Sequence, residues 1–103
     1  PSIEEVILGT AEVREVFKIS KIGTIAGCMV TDGNVKRQNE LRVIRDGIVI
    51  HTGKFGSLKR FKEDVGEVKT GQDCGIGIHN FNNVEVGDLI EVFEKRETKR
   101  KLS

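Results

Sequence analysis

Apolar and polar residues alternate along short segments of the chain, and glycines separate one segment from the next. From Ala11 to Ile19, apolar side chains alternate with charged ones, and Glu15 is the one break in the pattern. A period of two is typical of a strand with one buried face. Similar segments recur along the chain and predict about seven short strands at 11–19, 24–30, 41–44, 48–50, 57–61, 74–79 and 89–93.

Turn-forming residues stand between the predicted strands. The Asp-Gly pair at 46–47 lies between two β-branched runs. It is a strong hairpin signal, because glycine accepts a positive φ without steric cost. Further turns are predicted at 31–34, around 52–54 and at the Gly-Asp pair 87–88. Pro1 is the only proline, so nothing interrupts strand pairing. Short strands at this spacing predict an all-β fold, either a small barrel or a sandwich.

The length of 103 residues suits one domain, and residues 10–94 hold all the predicted strands. Residues 1–9 are interpreted as a linker or the end of a preceding helix, and residues 95–103 as a disordered basic tail. Five cations and one acid give this tail a charge of +4, so the rest of the chain carries −3. The domain therefore lacks the overall basic surface that coats phosphates, and any contact with RNA must come from a local cluster.

Several functional classes are disfavoured. No apolar run approaches the roughly 20 residues that span a bilayer, and the acidic start of the chain does not resemble a signal peptide, which indicates an intracellular protein. Neither histidine stands beside a serine motif or a cysteine pair, and no phosphate-binding GxxxxGK[ST] loop occurs. A zinc site of Cys28, His51, Cys74 and His79 is disfavoured because short ligand pairs are missing. We expect no enzyme and no metal site. Buried free thiols are the default for the cysteines, although a disulfide stays open.

Two segments have the composition of binding sites. Residues 57–62 bring three cations and Phe61 into one short run, which could hold phosphates while the ring stacks on a base. Residues 71–75 place a glycine on each side of Gln-Asp-Cys, which lets the backbone approach a ligand. Taken alone, each segment has a simpler interpretation: a solvated strand edge for the first, and a turn that enters a strand for the second.

Taken together, five segments resemble one family. The runs 23–33, 42–47, 57–62, 73–77 and 87–93 follow one another as in the last domain of bacterial translation initiation factor two. The resemblance covers nearly the whole chain, from about residue 9 to residue 94. It implies a closed Greek-key β-barrel of about six to seven short strands, similar to domain two of translational GTPases. It also implies a cytoplasmic protein of translation initiation that has no membrane partner.

The resemblance implies that this domain binds the formylmethionyl-CCA end of initiator tRNA. The family's binding residues fall here on Cys28, Lys59, Arg60, Phe61, Asp73, Cys74 and Gly75. The two cysteines and Phe61 would form an apolar slot for the methionine side chain. Lys59 and Arg60 would hold the terminal phosphates, and the amide of Gly75 would donate to a carbonyl. Phe61 stands where some members have Tyr, and Asp73, expected to brace its loop, stands where Glu is usual.

The larger factor implied by the resemblance binds GTP and magnesium and reaches the ribosome. Neither cofactor is expected in this chain, because the phosphate-binding loop is missing from it. The isolated chain is expected to be monomeric. One alternative stays open, namely a barrel that docks on ribosomal RNA or on protein without recognising the aminoacyl end, because a fold does not dictate its function.

Overall fold

The computed structural model describes residues 2–20 and 23–98, and regular structure in them is entirely β. In chain order the strands are β1 Ser2–Ile19, β2 Gly23–Lys36, β3 Glu40–Arg45, β4 Ile48–Arg60, β5 Glu63–Asp64, β6 Glu67–Lys69, β7 Asp73–Ile78 and β8 Leu89–Thr98. The prediction of an all-β fold is confirmed. Within the described part of the chain, no helix is long and apolar enough to cross a membrane.

Six of the strands close into a ring. Their order around the sheet is β1, β8, β3, β4, β7 and β2, and an antiparallel pairing of β1 with β2 joins the two ends. The short strands β5 and β6 add to β4 and β2, respectively. Closure removes the open edges on which strands of other molecules could pair. The arrangement agrees with the Greek-key barrel that the resemblance implies.

Alternate residues of the ring strands point inward and form one core. Along β2, for example, buried and partly buried positions alternate from Gly23 to Val30. The loop before β8 covers part of the core with Val84, and Val68 on β6 adds a fully buried side chain. The other fully or nearly fully buried apolar residues of this core include Ala11, Val13, Ala26, Val30, Val35, Leu41, Val43, Leu58, Ile76, Ile90 and Val92.

The strands are longer than predicted because two of the expected turns are not turns. The predicted turn around 52–54 lies inside β4, which runs without interruption from Ile48 to Arg60. The predicted turn at 31–34 lies inside β2, where Thr31 is an extra residue opposite β1. Gly33 there has φ 60°, and a side chain on it would collide with the backbone of Leu8. Glycine marks a bulge and a close strand contact at this position rather than a chain reversal.

The ends of the chain also differ from the prediction. Residues 3–8 are not the end of a helix, because they belong to β1, and residues 3–7 pair with β8 from Glu97 to Phe93. Residues 95–98, assigned to the disordered tail, belong to β8. Residues 99–103 lie outside the described part of the chain, and so does the prediction of disorder for them. The polar stretch 62–71 contains β5 and β6.

Two predicted turns are confirmed. The pair at 46–47 joins β3 to β4, with φ 53° at Asp46 and 77° at Gly47. Positive φ at both central residues defines the primed turn that fits the twist of a two-stranded hairpin. The pair at 87–88 precedes β8, and Gly87 has φ 97°.

Candidate functional site

One cavity of about 350 Å³ opens where β1, β2, β7 and β4 lie side by side. We call it the candidate pocket. Its lining includes all seven residues that the resemblance implies: Cys28, Lys59, Arg60, Phe61, Asp73, Cys74 and Gly75. These residues come from three separate segments of the chain, and the pairing of β7 with both β2 and β4 brings them together.

Two glycines form the floor of the pocket. Gly27 on β2 and Gly75 on β7 are register partners, so no side chain rises from either position. Gly75 also pairs with Lys59 on β4, and its N–H therefore belongs to a sheet with strands on both sides. The amide-donor role suggested for Gly75 does not fit this position. Gly75 instead leaves room for the Ile25 side chain, whose Cγ2 would lie 3.2 Å from an added Cβ.

The two cysteines are also register partners on β2 and β7. Both are free thiols, 2% and 7% exposed for Cys28 and Cys74. Burial raises the pKa of Cys74 to about 11, and nearby Asp73 adds to this while Arg60 opposes it. Burial also raises the pKa of Cys28, and nearby Cys74 contributes in the same direction. Both thiols are therefore neutral near pH 7 and lie as polarizable, weakly polar groups beneath the pocket lining.

Arg60 is held at the rim by two neighbours. Its Nε donates to the backbone oxygen of Asp73 at 2.8 Å, and its Nη2 lies 3.7 Å from Oδ1 of the same residue. The guanidinium carbon lies 4.9 Å from the centroid of the Phe61 ring, within range of a cation–π contact. The hydrogen bond uses one of five N–H donors of arginine, so others are available to an anion. These contacts orient the cation before any ligand arrives.

Phe61 stands on a strained turn. Phe61 and Lys62 form the two-residue connection between β4 and β5, with φ 52° and 71°. Primed turns of this kind favour Gly, Asn and Asp. A side chain in the left-handed region costs roughly 1–2 kcal/mol per residue. The Phe61 ring is 80% exposed, so burial in the core does not offset this cost. Strain of this kind, at a cavity rim, is a feature that points to function.

The wall opposite Phe61 was missed in the sequence analysis. Arg14, Glu15 and Phe17 on β1, with Gly27 and Met29 on β2, also line the pocket. Val13 pairs with Cys28 and Glu15 with Gly27, so Arg14 is an extra residue in a β-bulge. A bulge re-aims the side chains beside it. The break in alternation at Glu15 was the signal of this bulge in the sequence.

The histidines take no part in the candidate pocket. His51 stacks on Phe81, with ring centroids 4.5 Å apart. His79 lies in a different cleft, beside Asn80 and Asn82. Across residues 2–20 and 23–98, no group of three or more His, Cys, Asp or Glu side chains is placed to hold a metal ion.

Residues 23–99 match the family described as elongation factor Tu domain 2. The chain is 58% identical over 102 residues to translation initiation factor IF-2 of Flavobacterium johnsoniae. It is 57% identical over the same length to IF-2 of Cytophaga hutchinsonii and 59% identical to IF-2 of Amoebophilus asiaticus. Each match covers 99% of this chain, but only 10% or 11% of the relative. The chain therefore spans about a tenth of the length of these curated relatives.

Proposed function

The chain belongs to the elongation factor Tu domain 2 family, and from this membership we propose that it binds the formylmethionyl-CCA end of initiator tRNA as one domain of a larger translation initiation factor. The larger factor would supply GTP hydrolysis and the contact with the ribosome. The observation that carries the proposal is the lining of the candidate pocket, in which all seven residues implied by the resemblance meet.

The pocket has the two kinds of surface that such a ligand needs. The Phe61 ring offers an apolar contact to a thioether side chain, and the neutral thiols of Cys28 and Cys74 lie buried just beneath the lining. Lys59 and Arg60 stand beside them and offer charge to a terminal phosphate, which Arg60 can bind with two parallel N–H donors.

A preference for the formylated amine follows from the same chemistry. An ammonium group loses hydration when it enters the pocket, at a cost of about 1–3 kcal/mol if it finds no partner. A neutral formamide avoids this cost. Asp73 is the carboxylate at the rim that could serve an ammonium, and Arg60 already engages both its backbone oxygen and its side chain. We therefore expect Asp73 to brace Arg60 rather than to bind the amine.

Binding of the chain to three RNA ligands at one fixed salt concentration tests the proposal. The ligands are formylmethionyl-tRNA, unformylated methionyl-tRNA and deacylated tRNA. We expect the formylated ligand to bind most tightly. Arg60→Ala should weaken its binding about tenfold to a hundredfold, since hydrogen bonds to charged groups contribute about 1.5–3 kcal/mol. Arg37→Ala, which removes an exposed arginine outside the pocket lining, is the matched control and should bind like the wild type.

Three results would contradict the proposal. Equal binding of all three ligands would leave a general RNA-binding barrel, and no binding would assign recognition of the initiator to another part of the larger factor. Equal losses in Arg60→Ala and Arg37→Ala would show that only the overall charge matters. Asp73→Asn is a further check, because an increased preference for the formylated ligand would mean that Asp73 serves the free amine after all.

A second candidate function rests on the tip of the β3–β4 hairpin. Ile48 is 66% exposed there, and its neighbours Val49 and Ile50 are exposed as well. Exposed apolar residues that lie together on a surface favour contact with a protein. A map of ligand-dependent protection distinguishes the two functions, because the proposed site protects Cys74 and Arg60, whereas docking through the hairpin protects residues 48–50.

A further inference from the structure

A formylmethionyl end would bring two carbonyl oxygens into the candidate pocket, one on the formyl group and one on the ester. Each oxygen loses water on entry and needs a hydrogen-bond donor in its place. Gly27 and Gly75 on the floor do not supply one, because β2 and β7 each pair with a strand on both sides and the amides belong to these ladders. The donor must therefore come from a side chain of the lining.

Among the described residues of the lining, three side chains carry N–H donors, namely Arg14, Lys59 and Arg60. The proposed function assigns Lys59 and Arg60 to phosphates, and Arg60 is also engaged with Asp73. Thiols are weak donors, and both cysteines lie buried beneath the lining. Arg14 is thus the donor that has no ligand group assigned to it, and it stands on the wall opposite Phe61.

The bulge on β1 turns Arg14 towards the pocket. In a regular strand, neighbouring side chains point to opposite faces, so only one of Arg14 and Glu15 could face the pocket. Val13 pairs with Cys28 and Glu15 with Gly27, so Arg14 has no register partner on β2. Because of this extra residue, the side chains of both Arg14 and Glu15 line the pocket.

The Arg14 guanidinium has donors that its own neighbours do not use. Its Nη2 lies 3.3 Å from Oε1 of Glu12, in a pair whose side chains are 61% and 42% exposed, respectively. An exposed ion pair of this kind is weak, and this one engages only one of the five N–H donors of arginine. The other donors remain for an oxygen of the ligand.

We propose that Arg14 donates to the formyl oxygen and is the residue that selects the formylated amine. The inference rests on the proposed function, since it assigns a donor to one group of that ligand. An ammonium and a guanidinium both carry only donors, so Arg14 cannot hydrogen-bond an unformylated amine, and the like charges repel. A formamide instead offers an acceptor oxygen. Glu15 can accept from the nitrogen of either form, so its hydrogen bond does not select between them.

Three adenosine esters test this role. Formylmethionyl-adenosine carries the formamide, and methionyl-adenosine carries the free amine. Desamino-methionyl-adenosine keeps the side chain and the ester but lacks the nitrogen. Each ester is titrated into the whole chain as wild type, as Arg14→Ala and as Arg37→Ala, which removes an exposed arginine outside the pocket lining. The desamino ester reports whether a variant still forms the rest of the pocket.

We expect Arg14→Ala to weaken binding of formylmethionyl-adenosine about tenfold, as for the loss of one hydrogen bond from a charged donor. Binding of the desamino ester should not change, because it has no formyl oxygen. The preference for the formylated ester over the free amine should fall at least as much, since removal of Arg14 also relieves the repulsion of the ammonium. Arg37→Ala should bind all three esters like the wild type.

An unchanged preference in Arg14→Ala, or equal losses for the formylated and desamino esters, would overturn the role of Arg14. In either case, a wild type that prefers the formylated ester would leave the proposed function standing. A wild type that binds none of the esters, or that binds the formylated and free amines equally, would remove both proposals.

Discussion

Asp88 and Phe61 lie in two parts of the barrel that differ in burial, hydrogen bonding and backbone strain. Asp88 is 1% exposed, and Arg45 donates to both its carboxylate oxygens, each at 2.9 Å. The amide of Glu85 donates to Oδ2 at 2.8 Å. Phe61, in contrast, is 80% exposed on a turn of positive φ. At the first site, hydrogen bonds compensate a buried charge. At the second site, an aromatic ring is exposed to water on a backbone conformation that is unfavourable for residues other than glycine.

The difference separates residues that hold the fold together from residues that are presented to a ligand. Arg45 also donates to the backbone oxygen of Asn83 at 2.7 Å, so the Arg45–Asp88 pair fixes the loop before β8 to strand β3. This loop carries Val84 into the core. Among residues 2–20 and 23–98, no comparable set of bonds holds Phe61, whose ring is contacted by the Arg60 guanidinium at the pocket rim. Strain is tolerated at this turn because the rest of the barrel determines its position.

The largest effect on stability is expected at the buried carboxylate. Asp88→Ala removes a two-pronged ion pair and leaves the Glu85 amide without its acceptor, so the free energy of unfolding should fall by about 2–3 kcal/mol. Glu85→Ala removes the other carboxylate that Arg45 contacts, at 3.1 Å. Because Glu85 is exposed, its loss should cost less than about 1 kcal/mol. Urea unfolding of both variants measures the difference. Equal losses would mean that Asp88 contributes no more than a surface ion pair.

Acidification should reduce the stability that the Asp88 carboxylate provides, and we expect this effect to be smaller than that of Asp88→Ala. The hydrogen bond from Arg45 and that from the Glu85 amide hold the pKa of Asp88 below its ordinary value, although burial opposes them. The stabilisation is therefore complete above the pKa of the unfolded chain, about 3.9, and is lost as pH falls through the lower folded pKa. Unfolding measured from neutral pH to below about pH 4 should show a steeper loss in the wild type than in Asp88→Asn. Parallel curves would contradict this assignment.

The smallest effect on stability is expected at the strained turn, where substitution should raise the free energy of unfolding rather than lower it. Replacing Phe61 and Lys62 by Asn and Gly supplies residues that primed turns favour. The double variant should gain about 1 kcal/mol in the free energy of unfolding, because part of the left-handed cost is removed. It should also bind formylmethionyl-tRNA less tightly than the wild type. A variant that is less stable, or one that binds the tRNA normally, would show that the strain has no link to the site.

Much of the fold could be predicted from local patterns, and the exceptions have identifiable causes. The Asp-Gly hairpin at 46–47 was correct because its positive φ values depend on those two residues. The turns predicted around Gly33 and Gly53 were wrong because glycine also occurs where strands or side chains approach closely. At Gly33 the neighbour is Leu8, and at Gly53 it is the His51 ring, whose Nε2 would lie 2.8 Å from an added Cβ. Leu8 is 25 positions from Gly33 and cannot be recognised from the local sequence, whereas His51 is only two positions from Gly53 on the same strand.

The residues of the candidate pocket also divide into those that the sequence indicated and those that it did not. The basic-aromatic run 57–62 and the glycine-flanked segment 71–75 were visible as candidates, and the resemblance connected them with Cys28. Arg14, Glu15 and Phe17 were missed because a bulge on β1 turns them towards the pocket. The break in alternation at Glu15 marked the bulge, but it did not indicate which strand the displaced residues would face.

The sequence by itself determined the β class, the inward and outward faces of most strands and the hairpin at 46–47, because alternation and turn chemistry act over a few residues. The tertiary structure decided the closure of β1 on β2, the register that sets Cys28 against Cys74, and the glycine floor between β1 and β4. Cys28 and Cys74 are 46 positions apart, and Gly27 and Gly75 are 48 positions apart. Their positions depend on the pairing of whole strands, in which a shift of one residue would exchange the buried and exposed faces.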